Sequence, residues 1–458
     1  MDQIKSHLGQ AWTDSRAFRV LLIVALVYAV LRLAVHGAYL AMMLYPDSGA
    51  MGGMPEWTGA EGEPMVPVDL QVYLDAAESF LKRESLYLEG PITRLEGLYQ
   101  YSPAFSLAFV PFLPMSPVLV STLHTLLHIA AYVGLYLIWA QIFQDQGLAR
   151  ASRVLALTTP GWLAFSAFWS DLGYLNIYVV MALLATLLIR SILRERLTCS
   201  IIWMCGILQT KPQWAFAAVV PLLMGRRRFF WRLIGGSVVA YAAVAGCTML
   251  LGGAEYVAQE YANYVRFLST LPRRFPWRGP EAPYLGYNHS IKQLAIYLLG
   301  ETPGAFRSAT VAKLILLAPL AVVCGRHLAE TRDGARMKSP SRGIELAFVL
   351  YLGAFIWLDM VWELSLGIAI FCYLLATTHE TGWKALVVTI FVPYALIDLW
   401  QLLSFGIFGM DVIAPGPYIL SDPSIYIPLV MLVILVFYVI LLKRLWGAPL
   451  SRSEARAC

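Results

Sequence analysis

The sequence predicts an all-α, polytopic integral membrane protein with about 12 transmembrane helices. Its 458 residues are 59% hydrophobic and only 14% charged, whereas soluble domains carry roughly 25% charged residues. The mean hydropathy is +0.64, and apolar runs of the roughly 20 residues needed to cross a bilayer recur along the chain. We therefore expect a single membrane domain over residues 1–458, with no separate soluble domain.

The apolar runs determine the predicted number of crossings. The runs that can span are 18–44, 117–142, 151–169, 172–190, 233–251, 305–325, 343–358, 361–378, 382–404 and 423–442. The first is interpreted as a retained anchor rather than a signal peptide. A further run, 198–224, is interrupted at Lys211-Pro212 and is predicted to form two short helices that enter the membrane and return. Residues 101–115 are too short to span and are expected to be re-entrant or interfacial.

Basic residues predict the orientation of the chain, because cytoplasmic loops carry an excess of lysine and arginine. With about 12 crossings, both termini and four basic groups lie on the cytoplasmic side, at residues 190–196, 226–232, 326–342 and 443–444. We expect a plasma-membrane protein with two long external loops, 45–100 and 252–304. Most polar stretches that cannot be explained as water-exposed loops then lie on the external side of the membrane. This placement predicts a single external active site.

Composition also argues against several other classes of protein. The net charge of +5 is modest, so nucleic-acid binding is not expected. The six cysteines form no CxxC pair, so neither a disulfide framework nor a zinc site is predicted. His124 and His128 share a helix face, which fits a metal pair or a packed polar face, but no third ligand is evident. We therefore predict no metal and no other cofactor.

Asp69 lies at the start of a polar stretch that follows the first apolar run. Apolar residues recur there at helical spacing, at Leu70, Tyr73, Leu74, Ala77 and Leu81. The segment is too polar to span, so it is predicted to be a helix lying in the membrane interface, with 45–100 forming the first external loop. Asp69 falls in the first turn, where a helix N-terminus favours an anion. It is predicted to be a general base; the alternative is an N-cap or a solvated acid.

Basic side chains in two segments are predicted to bind a phosphate group. Lys211 interrupts an apolar run, and intramembrane ionisable residues are candidates for function, although a lysine snorkelling at a short turn is the alternative. Arg273, Arg274 and Arg278 lie in the external loop 252–304, against the positive-inside pattern. Arginine binds phosphate oxygens bidentately. Plain contact with lipid head groups is the alternative interpretation of the three arginines.

Polar residues in the external turns are predicted to contact a sugar or its acceptor. Asn288 and His289 belong to a compact polar and aromatic stretch, although Asn288 and Ser290 equally fit a cap for a helix near Ile291. Two shorter turns contribute further candidates. These are Asp171 and Asn176 in one turn, and Glu363 at the start of the helix after the other.

Six short motifs resemble glycosyltransferase family 87. They follow one another from about residue 65 to 295, roughly half of the chain, at 69–73, 85–87, 99–105, 172–176, 209–213 and 288–290. The last three resemble the family's Gly-Gln-x-Asn turn, its Lys-Pro element and its Asn-x-Ser element. Tyr73 and Tyr101 belong to these motifs and complete the predicted sugar- and acceptor-binding set.

The resemblance implies a GT-C fold and an inverting sugar transfer at the outer face of the membrane. Family 87 includes polyprenyl-phosphate-mannose-dependent mannosyltransferases of phosphatidylinositol mannosides and related arabinofuranosyltransferases. Its acidic residue in the first external loop acts as the base, which is Asp69 here. Two departures are visible in this chain. Tyr174 replaces the glutamine of the Gly-Gln-x-Asn turn, and the late Ser-Pro-x-x-Trp-x-His-His element lacks its histidines at 358–364. Glu363 or His289 is expected to take a polar role there.

The predicted function follows from these residues and the resemblance together. A polyprenyl-phosphate sugar, with mannose favoured over arabinofuranose, donates to a hydroxyl of a glycolipid acceptor. Asp69 removes the hydroxyl proton, while Lys211 and the arginines stabilise the leaving phosphate. A nucleotide sugar is not expected, because no Gly-rich phosphate loop is visible. A lipid transporter or flippase, or a non-catalytic binding scaffold, is the alternative.

Overall fold

The computed structural model describes residues 2–44, 66–87, 99–282, 288–331, 340–362, 364–408 and 423–447. Every regular element within those ranges is helical. The first ten α-helices are α1 Asp2–Asp14, α2 Arg16–Leu44, α3 Val68–Lys82, α4 Pro103–Phe109, α5 Pro117–Asp145, α6 Ala149–Leu157, α7 Thr159–Leu163, α8 Ser166–Tyr174, α9 Tyr178–Leu193 and α10 Leu197–Thr210. The next ten are α11 Val220–Leu223, α12 Arg227–Gly252, α13 Ala254–Arg274, α14 Ile291–Leu299, α15 Pro303–Glu330, α16 Pro340–Trp357, α17 Gly367–Thr377, α18 Thr381–Ala395, α19 Ile397–Phe408 and α20 Pro423–Gly447. Two 3₁₀ helices, Val110–Phe112 and Pro212–Val219, complete the set.

Among the described residues, five helices are long and apolar enough to cross a membrane. They are α2, α5, α12, α15 and, over Leu429–Gly447, α20. Their outward faces are apolar: Val27 and Val30 of α2, for example, are 63% and 67% exposed. Such faces suit lipid rather than water, so the helices support a membrane protein. The count of about 12 spans and the GT-C arrangement stay predictions, because several predicted runs form shorter, broken helices.

The best example of a broken run is the segment predicted to cross twice between 151 and 190. Helices α7 and α8 are followed by α9 after a bend of 117°. Leu175 adopts a left-handed conformation with φ of 50° and ends α8, and the backbone N–H of Asn176 donates to the carbonyl of Asp171 over 3.1 Å. The turn is packed within the protein, since Leu175 and Ile177 on either side of Asn176 are buried. Helix α9 then packs between α5 and α10, and α10 packs against α12.

The predicted interruption at Lys211-Pro212 is confirmed. Helix α10 ends at Thr210, Lys211 has φ of −134° and ψ of 90°, and the chain continues as a 3₁₀ helix. A residue that precedes proline is disfavoured in the α conformation, and the proline nitrogen has no hydrogen to donate. The sequence Lys-Pro therefore ends the helix locally, and the break holds the lysine side chain at its apex.

The helix predicted around Asp69 is also confirmed, as α3. Leu70, Tyr73 and Ala77 are fully buried along one face, whereas Asp75 and Glu78 are exposed on the other. Leu81, expected on the buried face, lies in the last turn and is 58% exposed. Helix α3 packs against α4, the 3₁₀ helix Val110–Phe112 and α8. This packing brings the start of α3 to the bend between α8 and α9.

Candidate active site

Asp69 lies in the first turn of α3, directly opposite the bend between α8 and α9. The N-cap position belongs to Pro67, so the Asp69 carboxylate is not the helix cap. Asn176 donates a hydrogen bond from Nδ2 to Asp69 Oδ2 over 3.1 Å. The amide oxygen of Asn176 accepts in turn from the backbone N–H of Ile177 over 2.7 Å. The Asn176 side chain is therefore held by its own turn and presents its amide nitrogen to the carboxylate.

Two tyrosines form one wall beside this carboxylate. Tyr73 is one helical turn after Asp69, and its hydroxyl oxygen lies 3.0 Å from that of Tyr101. The Tyr73 hydroxyl also donates to the side-chain oxygen of Asn176 over 3.4 Å. Both rings are buried and meet edge to face, with centroids 5.2 Å apart. The structure thus brings together four of the predicted site residues: Asp69, Tyr73, Tyr101 and Asn176.

Lys211 closes the site on the side of Tyr101. Its side chain is buried, and its Nζ atom lies 5.0 Å from the Tyr101 ring centroid and 4.1 Å from that of Tyr178. Within the described part of the chain, Nζ has no ion pair and no hydrogen bond. The ammonium is held by aromatic faces and by the nearby charges of Asp69 and Asp171. A buried ammonium in this position can accept an anionic group as its direct partner. Tyr178 was not predicted to take part, although it follows Asn176 by only two residues.

Burial changes the basicity of the candidate base. Removal from water raises the pKa of Asp69 to about 6, while the Lys211 ammonium and the hydrogen bond from Asn176 both act to lower it. A carboxylate with this pKa is ionised at neutral pH and is a stronger base than an ordinary aspartate. His289, a predicted sugar- or acceptor-contacting residue that could also accept a proton, has its pKa lowered to about 3 by burial. Asp69 is therefore the better proton acceptor.

Asp171 is buried close to Asp69 and Lys211, and its carboxylate binds the backbone. Its two carboxylate oxygens accept from the backbone N–H groups of Tyr178 and Val179, over 3.1 and 2.8 Å. The side chain is buried, and it satisfies amides of the first turn of α9 that have no partner within the helix. Contact between Asp171 and a sugar stays a prediction. The geometry shows a carboxylate that supports the Asn176 turn.

Asn288 and His289 belong to a second polar cluster. The Asn288 side chain donates to the Asp359 carbonyl over 2.9 Å and accepts from the Val361 N–H over 3.0 Å. Asp359 bridges two lysines, at 3.0 Å from Lys292 and 2.5 Å from Lys313. These lysines were not singled out in the sequence, although Lys313 lies within an apolar run, which is the signal that identified Lys211. Glu363, predicted to contact the sugar or acceptor, lies outside the described residues.

The three arginines lie at and just beyond the end of α13. The Arg274 guanidinium is 5.7 Å from the Phe267 ring centroid, Arg273 is exposed, and the Arg278 backbone exchanges hydrogen bonds with the Gln293 side chain. Phe267 lies 5.6 Å from Tyr87, centroid to centroid. The Tyr87 hydroxyl donates to the Tyr101 carbonyl over 2.7 Å. Aromatic contacts therefore connect Arg274 with the wall of the site, whereas direct contact between the arginines and a phosphate stays a prediction.

A comparison with protein families identifies the class of enzyme. The model for glycosyltransferase family 87 matches residues 99–341, which is more than half of the chain. The chain belongs to glycosyltransferase family 87. The predicted resemblance is thereby confirmed, and this family 87 member is a membrane glycosyltransferase that acts on a sugar donor and an acceptor. Comparisons with curated proteins and with solved structures give no match. The matched residues include Asn176, Lys211 and Asn288, whereas Asp69 precedes them.

Proposed function

We propose that this family 87 member transfers mannose from a polyprenyl-phosphate donor to a hydroxyl group of a lipid-linked glycan. The transfer takes place at the outer face of the plasma membrane, with both termini of the chain in the cytoplasm. Asp69 removes the proton of the acceptor hydroxyl, the hydroxyl oxygen attacks the anomeric carbon, and the lipid phosphate leaves from the opposite side. Attack from that side inverts the anomeric configuration, so a β-linked donor produces an α-linked product.

The observation that carries this proposal is the juxtaposition of Asp69 and Lys211. The carboxylate is oriented by Asn176 over 3.1 Å, and burial makes it more basic than an ordinary aspartate. The Lys211 ammonium contacts the Tyr101 and Tyr178 ring faces and is near enough to interact electrostatically with the Asp69 carboxylate. Among the described residues, no carboxylate forms a salt bridge with it. A base and a buried cation next to one another support a reaction in which a hydroxyl proton leaves and phosphate charge develops.

The first test is transfer by the purified, full-length protein in lipid nanodiscs. Radiolabelled polyprenyl-phosphate-mannose is supplied with a glycolipid acceptor, in parallel with polyprenyl-phosphate-arabinofuranose. We expect label from the mannose donor to enter the glycolipid, and the new linkage to be α by NMR. Transfer from the arabinofuranose donor alone would overturn the choice of sugar, and a retained configuration would overturn the inverting mechanism. Absence of transfer from both donors would contradict the polyprenyl-phosphate proposal.

Replacing Lys211 by Met is expected to lower kcat for transfer by about 10²-fold, because the leaving phosphate loses its stabilising cation. Methionine fills a similar volume and packs well against aromatic rings, so Tyr101 and Tyr178 keep a neighbour. The matched control is Lys82→Met on α3, because the Lys82 side chain is exposed and forms a surface ion pair with Glu78. Equal kcat values for the two variants would contradict the phosphate role of Lys211.

The pH dependence of transfer is expected to report the ionisation of Asp69. The base must be unprotonated, so kcat/KM should fall as the pH drops through about 6, the raised pKa of Asp69. An ordinary aspartate would place this acidic limb about two pH units lower. The measurement is initial-rate transfer between pH 4.5 and 8, with protein stability checked at each pH. A flat profile across pH 6 would contradict the assignment.

A further inference from the structure

A buried histidine supports the back of the active-site turn. His128 lies on α5 and is fully buried. Its Nε2 atom makes a short hydrogen bond with the backbone carbonyl oxygen of Asn176. Its Nδ1 atom lies 2.7 Å from the backbone carbonyl oxygen of His124. Both ring nitrogens therefore face oxygen atoms that can only accept a hydrogen bond.

This arrangement determines the protonation state of the ring. A neutral imidazole has one nitrogen that donates and one that accepts, whereas an imidazolium donates from both. A neutral His128 would turn a nitrogen lone pair towards a carbonyl oxygen, so two carbonyl partners require two N–H groups. The resulting positive charge has a counter-ion close by, because Asp171 Oδ2 lies 3.7 Å from Nε2 and both side chains are buried.

The other titratable side chains near His128 are histidines, so Asp171 is the carboxylate that can balance its charge. His124 is on the same helix, with its ring centroid 6.5 Å away. His36 of α2 is near enough to interact electrostatically with His128, and its Nε2 atom is 3.0 Å from the Thr125 hydroxyl. Neither histidine supplies a negative charge. On the far side of Asn176 lies the Asp69 carboxylate, separated from His128 by that residue.

Asn176 is held from both sides. Its backbone carbonyl contacts the His128 ring, and its side-chain amide donates to Asp69. Asp171 accepts from the first two N–H groups of α9, so the same carboxylate fixes the helix that begins at the turn. The buried pair therefore contacts both the turn that carries the Asn176 amide and the helix that follows this turn.

We propose that His128 is a positioning residue, kept as an imidazolium by Asp171, that holds the Asn176 turn and thereby orients Asp69. The role of orienting a base rests on the proposed function. The charged state of His128 does not, since it follows from the two carbonyl partners of the ring together with the buried Asp171 carboxylate. His128 itself is separated from the substrate by Asn176.

The charged state is tested by ¹⁵N NMR on the full-length protein labelled at histidine, in nanodiscs at pH 8. An exposed histidine is neutral at this pH, so a ring with two protonated nitrogens is expected to stand out among the seven histidines. Its signal should disappear in His128→Gln and become that of a neutral ring in Asp171→Asn. A wild-type spectrum without such a ring overturns the proposal with no variant needed. A signal that persists in His128→Gln overturns it equally. This measurement does not depend on transfer activity, so its failure is distinct from failure of the proposed function.

The positioning role is tested by the pH profile of transfer. The hydrogen bond from Asn176 lowers the pKa of Asp69, so its loss raises that pKa and moves the acidic limb of kcat/KM to higher pH. We expect this shift in Asp171→Asn and in His128→Gln. The double variant should shift no further than either single variant, because both changes act through the same turn. The control is His327→Gln, a buried histidine in the last turn of α15. If the Asp171→Asn and His128→Gln proteins fold and the acidic limb of their kcat/KM profiles lies at the wild-type pH, the positioning role is overturned.

Discussion

Replacing Asp69 by Asn is expected to lower kcat for sugar transfer by about 10²- to 10⁴-fold, the effect of removing a general base. Asparagine has nearly the same shape and keeps an oxygen that can accept from the Asn176 amide, so the turn should stay in place. It cannot accept the proton of the acceptor hydroxyl. The donor dissociation constant should therefore change little while turnover is lost. The measurement is single-turnover transfer from labelled donor, with binding measured separately.

Asp75 provides a matched control for that experiment. It lies on the same helix, less than two turns further along, and its exposed carboxylate accepts from the Gln71 side chain over 2.7 Å. Asp75→Asn removes the same charge from the same helix without touching the site, so near-wild-type kcat is expected. If Asp69→Asn kept more than about a tenth of wild-type kcat, the loss would be smaller than removal of a general base typically causes, and another group would have to be the base.

Replacing Arg32 by Met is expected to destabilise the fold by about 3–5 kcal/mol, because it leaves a buried carboxylate without its partner. Arg32 of α2 and Asp398 of α19 form a bidentate pair with N···O distances of 2.6 and 2.9 Å, and both side chains are 2% exposed. Tyr28 donates a further short hydrogen bond to Asp398. A charge in an apolar environment is costly unless it is paired.

The stability measurement is the unfolding midpoint in detergent, followed by intrinsic tryptophan fluorescence. The double variant Arg32→Met/Asp398→Leu should recover most of the loss, because no unpaired charge remains. Lys443→Met is the control, since Lys443 pairs with Glu380 at the surface with both side chains more than half exposed, and exposed pairs contribute little. Midpoints that are equal for Arg32→Met and Lys443→Met would contradict a stabilising role for the buried pair.

Local features of the fold could be predicted from the sequence. The spacing of Leu70, Tyr73 and Ala77 predicted the helix that became α3, and the Lys211-Pro212 step predicted the break after α10. Both depend on residues within a few positions of one another. The bend at Asn176 was harder to predict. The sequence predicted two separate spans there, and the structure shows shorter helices joined at 117°. Leu175 adopts its left-handed conformation without the glycine or asparagine that commonly marks such a position.

The site itself could be predicted only in part. Asp69, Tyr73, Tyr101, Asn176 and Lys211 were named from sequence motifs, and the structure brings them together. The pairing of Arg32 with Asp398 was missed, because each residue alone fits a polar position in an apolar run. Contact between Asp171 and the sugar stays a prediction, and the bonds from its oxygens to the first turn of α9 were not foreseen from the sequence. His128 was interpreted as part of a packed polar face or a metal pair, and its carbonyl partners gave no sign in the sequence.

By itself, the sequence determined the class of the protein: a helical membrane glycosyltransferase of family 87 with a candidate acid and a candidate lysine. Composition, helical periodicity and short motifs can be read directly from the amino-acid sequence, because none of them requires contacts between distant residues. Only the tertiary structure decided which residues meet. The Asp69–Asn176 bond joins residues 107 positions apart, and the Arg32–Asp398 pair joins residues 366 positions apart. Such contacts depend on how helices pack, and packing depends on the shapes of all the buried faces together.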